Sequence, residues 1–256
     1  AASAVEPEWL LELFPDAVRE VAEARWNAPV ERVDVVQKLM YETLTLDESR
    51  GAMNEAGVTA AAKLLAEKAE AKGVRAFAPG DDALDRWMSR QSFVAERFPE
   101  SKVATLTEAG VLAVLKTLCE GRRSFAELRD ASLLDALKDA LTSAQRRLIE
   151  EMAPERVTLG GGRQVKVQYE AGSKAPWIES RLQDFFGMTR SPAIGGGRVP
   201  LVLHLLAPNQ RAVQVTTDLA GFWERHYPGI RKELCRKYPR HAWPEDGRTA
   251  TPPQRR

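Results

Sequence analysis

Cysteine is scarce. Only Cys119 and Cys235 occur in 256 residues, far apart and in helical patterns. That excludes a disulfide framework and points to a reducing compartment. Histidine is scarcer than most residue types. His204, His226 and His241 never share the paired spacing with cysteine that a zinc site needs, so no metal ligand is assigned. No apolar run approaches the ~20 residues that span a bilayer. The opening Ala1 to Pro7 has neither the basic region nor the apolar core of a signal peptide. No membrane partner and a cytoplasmic location are expected. A GxxxxGK[ST] string, whose amides, lysine and hydroxyl would hold phosphates and magnesium, is missing. Gly160 to Gly162 runs on into Arg163-Gln164, and Gly195 to Gly197 into Arg198-Val199. Nor is there a G-x-S-x-G nucleophile elbow. No catalytic residue is assigned.

Net charge is also small, at +1, but it is unevenly placed. Residues 1–150 hold 20 Lys+Arg against 26 Asp+Glu, or −6; residues 151–256 hold 17 against 10, or +7. Such asymmetry suggests that the later part faces a polyanion. The hydrophobic content of 44% is enough for one large or two small cores.

In chain order, the acidic Glu6-Pro7-Glu8 suits a first helical turn before Trp9, Leu10, Leu13 and Phe14, which share a face expected to be buried. Trp9 is expected to anchor a core. Alternation from Val18 to Trp26, Arg32 to Met40 and Tyr41 to Leu46 predicts an antiparallel meander closed by a loop at Asp47 to Gly51. Alanine-rich Asn54 to Gly73 predicts a helix. Further helices are expected from Asp81-Asp82, Thr107, Ser124, Leu133 and Ser143, making an acidic, bundle-like body. Ser124 with Glu127 forms a capping-box pattern.

At Pro154 the composition shifts. Arg156 to Leu159 and Arg163 to Tyr169 alternate about three glycines and predict a hairpin. Arg163, Val165 and Val167 fall on one side, Lys166 on the other. Pro176-Trp177 is expected to open a helix with Ile178, Leu182, Phe185 and Phe186 as its apolar stripe. Val199 to Leu206, a break at Ala207-Pro208-Asn209, and Ala212 to Val215 read as strand, turn, strand. A basic helix follows, restarted at Pro228. Leu219, Phe222, Trp223, Ile230, Leu234 and Tyr238 take its inner side, and Arg231, Lys232, Arg236, Lys237 and Arg240 its outer side. The fold class expected is α+β: a meander plus helical body over 1–153, a mixed strand and helix domain over 154–246, and a disordered basic tail over 247–256.

Cations on one helix face neutralise phosphates and make binding salt-dependent. The candidate nucleic-acid-binding residues are therefore Arg231, Lys232, Arg236, Lys237 and Arg240, with Arg163 and Lys166 on the hairpin and Arg198 after the second glycine triplet. Trp177 and Trp243 are the aromatics most suited to exposure for base stacking, and Trp177 joins the candidate set. The glycine triplets read either as hairpin turns or as anion-binding nests beside Arg163 and Arg198.

The wording of the last third carries more. GGGRVPLVLHLL (Gly195 to Leu206), QVTTDLAGFW (Gln214 to Trp223) and RKELCRKYPRHAWPED (Arg231 to Asp246) resemble the C-terminal region of HrpB-type ATP-dependent helicases of the DEAH-box superfamily. RLQDFFGM (Arg181 to Met188) extends the likeness upstream, and AVEPEWLLELFP (Ala4 to Pro15) resembles the segment that closes the OB-fold region of such enzymes. The resemblance implies a non-motor region that binds or positions single-stranded nucleic acid, expected to be RNA, for two RecA-like motor domains. The alternative is a protein-interaction module docking on those domains or on an external partner. With neither a phosphate loop nor a DEAH box, the chain is expected not to hydrolyse ATP alone. ATP and magnesium belong to the motor domains, and no cofactor is expected in this chain.

Overall fold

The structure is a computed structural model that describes residues 7–49, 54–78, 80, 82–170 and 174–253. Ala4 to Glu6, Gly51, Asp81, Arg255 and Arg256, all used in the sequence reading, lie outside the described residues. The fold is α+β. The chain separates into two compact units, residues 1–84 with 107–141, and residues 85–106 with 142–256. The division does not fall at Pro154: the segment 85–106 and the helix before Pro154 belong with the C-terminal residues.

The first unit begins with helix α1 (Pro7–Leu13) and a 3₁₀ turn, Pro15–Ala17. Trp9 is 53% exposed, Leu13 70% and Phe14 49%. The expected core anchor is therefore an exposed one; a seven-residue helix carries an apolar face that the described part of its unit does not cover. The meander is as predicted: β1 (Val18–Asn27), β2 (Arg32–Tyr41) and β3 (Leu44–Ser49), antiparallel in that order. β3 takes in Asp47 to Ser49, which the sequence placed in a loop, because the β2–β3 ladder continues to Gln37 opposite Ser49.

Helix α2 (Glu55–Lys72) packs on β1 and β2. Its spacing explains this: Gly57, Ala61, Leu65 and Ala69 form a buried stripe at four-residue intervals, narrow enough for close approach. A Cβ on Gly57 would stand 3.2 Å from Val35 Cγ1. Asn54 caps the helix by accepting from the Gly57 amide at 2.8 Å. Helix α3 (Ala83–Arg97) leads into the second unit.

Back in the first unit, α4 (Glu108–Leu118), α5 (Phe125–Asp130) and α6 (Leu133–Asp139) complete the helices. Ser124 caps α5 by accepting from the Glu127 amide at 3.2 Å, but the Glu127 carboxylate takes the Arg123 amide at 2.7 Å. The reciprocal capping box instead belongs to Thr142 and Gln145, at the start of α7 (Ser143–Met152) in the second unit. The expected single helical bundle is thus shared between two units.

The second unit is mixed. The hairpin β4 (Arg156–Thr158) and β5 (Gln164–Lys166) turns at the first glycine triplet. Trp177 opens a strand, β6 (Trp177–Arg181), not a helix. Burial alternates there, with Ile178 and Ser180 in and Glu179 and Arg181 out; only Leu182–Phe185 turns, as 3₁₀. β7 (Ala193–Ile194) and β8 (Val199–Pro200) close around the second triplet. β9 (Val202–Leu206) is the centre strand, parallel to β6 and antiparallel to β10 (Ala212–Thr216).

A short α8 (Leu219–Gly221) continues as a π-helical turn, Phe222–His226, into α9 (Tyr227–Lys237). Pro228 has no N–H to donate, so the ladder is interrupted here. The Tyr227 amide reaches back to the Phe222 carbonyl instead, and the turn widens.

The segment expected as a disordered tail is docked over residues 247–253. The Gly187 amide donates to the Gly247 carbonyl at 2.8 Å. A Cβ on Gly247 would meet the Trp223 ring at 2.4 Å. Glycine and proline here fit a surface rather than mark disorder.

Candidate functional site

The candidate cations separate into several places. Arg231 is structural: its Nε donates to the Trp243 carbonyl at 2.8 Å. Beside it the Tyr227 hydroxyl donates to the Pro244 carbonyl at 2.8 Å, and burial pushes this phenol up to about 12. Together they fold residues after α9 back onto it. Trp243 is consequently buried, not exposed, with its indole N–H donating to Tyr238 O at 3.0 Å.

Arg198 lies 4.3 Å over the Phe98 ring and pairs with Glu100 at 3.1 Å. It serves the second glycine turn, where Gly195, Gly196 and Gly197 all have positive φ and a Cβ on Gly195 would sit 2.5 Å from Phe98. The triplet is required by backbone geometry. Trp177 is half-buried, stacked on His204 with centroids 4.6 Å apart, and donates to Glu170 at 3.0 Å. Lys166 is half-buried on β5 opposite Arg156 in the ladder.

Lys232, Arg236, Lys237 and Arg240 remain outward. All four are exposed, and none has a salt bridge or side-chain hydrogen bond among the described residues. The helix alone does not gather them. Lys237 faces a cleft shared with Arg211 and Asn209, whereas Arg240 lines a different one.

That second cleft, of about 500 Å³, brings Arg163 and Arg240 together and adds Arg181 and His241. Each wall has a local cause. Arg181 projects from the outer face of β6. Arg163 follows the hairpin glycines, and its Nε lies 3.3 Å from the Asp184 carboxylate. The nearly buried Asp184 also accepts from Ser180 Oγ at 2.5 Å. The buried Gln183 amide donates to the Ala242 carbonyl at 3.1 Å, tying the 3₁₀ turn to the wall that carries Arg240 and His241. Thr251 and Pro253 of the docked segment line the cleft too. Arg181 and Arg240 have no ion pair among the described residues. Three guanidiniums against one carboxylate leave a charge of +2 from these four groups. Such an arrangement is electrostatically suited to an anion.

Arg181 escaped the sequence reading because its segment was read with a helical period. A period of two, Ile178 and Ser180 in, Glu179 and Arg181 out, would have found it. Among the described residues no group of three or more His, Cys, Asp or Glu gathers to hold a metal. None of their helices is long and apolar enough to cross a membrane. Burial pushes the Cys119 thiol up to about 11, so it is an inert core residue.

Known proteins resemble the chain in both sequence and structure. The family model "ATP-dependent helicase C-terminal", HrpB_C, matches residues 114–247. The ATP-dependent RNA helicase HrpB of Escherichia coli (strain K12) is 32% identical over 165 residues, covering 63% of this chain and 20% of that protein. The crystal structure of the E. coli DExH-box NTPase HrpB superposes with a TM-score of 0.71 at 25% identity, over 99% of this chain and 31% of that one. A crystal structure of the E. coli DEAH/RHA helicase HrpB gives 0.60 at 26% identity, over 91% and 30%. The chain thus spans a fifth of the curated relative and under a third of each crystallised chain. Strand, glycine turn, basic helix and matched family together make this chain a member of the HrpB family of ATP-dependent helicases, corresponding to their C-terminal region.

Proposed function

We propose that this chain binds single-stranded nucleic acid and positions it for a helicase motor. One observation carries the reading: the second unit leaves Arg181, Lys232, Arg236, Lys237 and Arg240 exposed without acidic partners among the described residues. Unpaired surface cations keep their full attraction for phosphates and release counterions when a strand binds. The relative is described as an RNA helicase, which favours RNA. With no phosphate loop in its sequence, the chain leaves ATP and magnesium to the motor.

The test is fluorescence anisotropy of labelled single-stranded RNA and DNA against wild type and Lys232→Glu/Arg236→Glu. Arg231 is unsuitable for substitution because its hydrogen bond holds the chain after α9. The double variant is expected to weaken binding by about tenfold or more as four charge units change. Unchanged affinity would remove the basic helix from the reading.

A second reading rests on a different observation. Trp9, Leu13, Phe14 and Leu44 are exposed apolar side chains of the first unit. Exposed apolar patches mark interaction sites. They suit docking on the motor domains of a parent helicase. Retention of this chain by a separately produced motor region, lost in Leu13→Asp/Leu44→Asp, is the expected result; no retention by the wild type at low salt would count against it.

A further inference from the structure

We propose that the cleft of Arg163, Arg181, Arg240 and His241 is the seat for the sugar–phosphate backbone of the bound strand. The proposal rests on the nucleic-acid reading and makes it specific. The cleft, and not the outer face of α9 alone, holds phosphates in fixed positions.

Three features point to a phosphodiester. First, the cations converge from separate elements: the β4–β5 turn, β6 and the chain after α9. Helix α9 presents point charges along a convex surface; the cleft surrounds an anion. Second, its cations differ in state. Asp184 and Ser180 fix Arg163 in place, whereas Arg181 and Arg240 have no acidic partner among the described residues. A guanidinium is weakly hydrated and presents a planar fork that fits phosphate oxygens in pairs. Third, the walls are wrong for reading bases. Phe186 is 2% exposed and offers no open face, and among the described residues the other aromatic ring in the lining is His241. A site with charge, depth and no exposed Trp, Tyr or Phe face reads backbone more than sequence. The same cleft therefore takes RNA and DNA alike, and any preference for RNA arises elsewhere on the surface.

Asp184 sets the sign of a second effect. Its carboxylate lowers the cleft's charge and competes with a phosphate for Arg163. Asparagine keeps its shape and still accepts from Ser180. Asp184→Asn is thus expected to tighten binding by a few fold, which mere structural damage would not do.

The experiment uses the full chain with fluorescein-labelled oligouridylate and oligothymidylate of about a dozen nucleotides, over a salt series. Arg181→Ala/Arg240→Ala is expected to weaken both probes by about tenfold or more. Loss of two phosphate contacts should also reduce the slope of log affinity against log salt by about 1.4, at ~0.7 per contact for single strands. Arg181→Lys/Arg240→Lys should recover the slope. Both side chains are exposed, and thermal unfolding monitored beside the titrations should not change. Wild type that binds while the alanine variant keeps its affinity and slope would overturn the cleft and leave the nucleic-acid reading standing. Wild type that binds neither probe at low salt would overturn both.

Discussion

The two units handle charge in opposite ways. The first, residues 1–84 with 107–141, holds 14 Lys+Arg against 22 Asp+Glu, a net −8. The second holds 23 against 14, a net +9. Dividing the chain by its folded units sharpens the contrast that a simple cut at residue 150 gives. Several cations of the first unit are held by carboxylates. In the first unit Glu31 alone holds both Lys72 and Arg129, and Arg129 followed by Lys72 keeps its carboxyl below the usual range. Glu23 holds Arg25 and Lys38, and its pKa falls to about 2, with Arg25 the larger cause. Arg75 and Lys116 pair with Glu108 and Glu70. In the second unit Arg163 is held by Asp184, whereas the outward Lys232, Arg236 and Lys237 of α9 and the cleft's Arg181 and Arg240 have no acidic partner among the described residues. The difference teaches that a basic count is a weak indicator until each cation's partner is known.

The strongest way to break this contrast is at the one cation buried among the described residues. Arg90 is 2% exposed and donates to the Ala153 carbonyl at 2.6 Å, to Glu155 at 2.9 Å and to Glu150 at 2.6 Å. It is a structural arginine inside the basic unit. Arg90→Met is expected to cost about 2–3 kcal/mol in chemical denaturation, the scale of lost charged hydrogen bonds. A cost near zero would mean that pairing state does not separate structural cations from free ones.

Next comes Gly195→Val. Positive φ and the Phe98 ring together oppose a side chain there. About 1–3 kcal/mol of destabilisation is expected from thermal unfolding. A neutral result would leave the glycines open to the nest reading.

A third prediction concerns pH. Burial raises Tyr227 to about 12 and Tyr169 upward, against ~10 unfolded. The raised groups favour the protonated form in the folded state. Their contribution is full below pH 10 and is lost as pH rises from there through the folded values. The unfolding midpoint should therefore fall steeply above pH 10, and less so in Tyr227→Phe, measured by circular dichroism.

The smallest effect belongs to the first unit's surface pairs. Lys116→Ala is expected to change stability by about 0.5 kcal/mol or less, because exposed pairs gain little. A loss above 2 kcal/mol would show that pairing there serves the fold rather than merely cancelling charge.

Most of the fold was legible where period and punctuation agreed. The meander, α2, the β4–β5 hairpin and the inward Phe222, Trp223 and Leu234 all follow from spacing. Legibility failed where one run of residues fits two periods. Trp177 to Phe186 has apolar residues at 178, 182, 185 and 186, a helical stripe, yet the parallel ladder with β9 makes it a strand. Tertiary pairing decided that, and with it Arg181. Trp9 and Trp243 were misplaced in opposite directions. Trp9 has a helical face without a cover in its described surroundings. Trp243 is held by Arg231 and Tyr238, contacts formed only once the chain turns back. Of the candidate cations, sequence placed Arg163 and Arg240 in the set but had no means of seeing that a 3₁₀ turn and Gln183 hold their walls together.

The most direct measurement is the salt dependence of single-stranded RNA binding by the wild-type chain. Arg181, Lys232, Arg236, Lys237 and Arg240, each meeting one phosphate, give an expected slope of log affinity against log salt of about −3.5, at ~0.7 per contact. Tight binding at low salt with a slope near that value is the expected result. A slope near zero, or no binding at low salt, would contradict it and place the unpaired cations outside any nucleic-acid role.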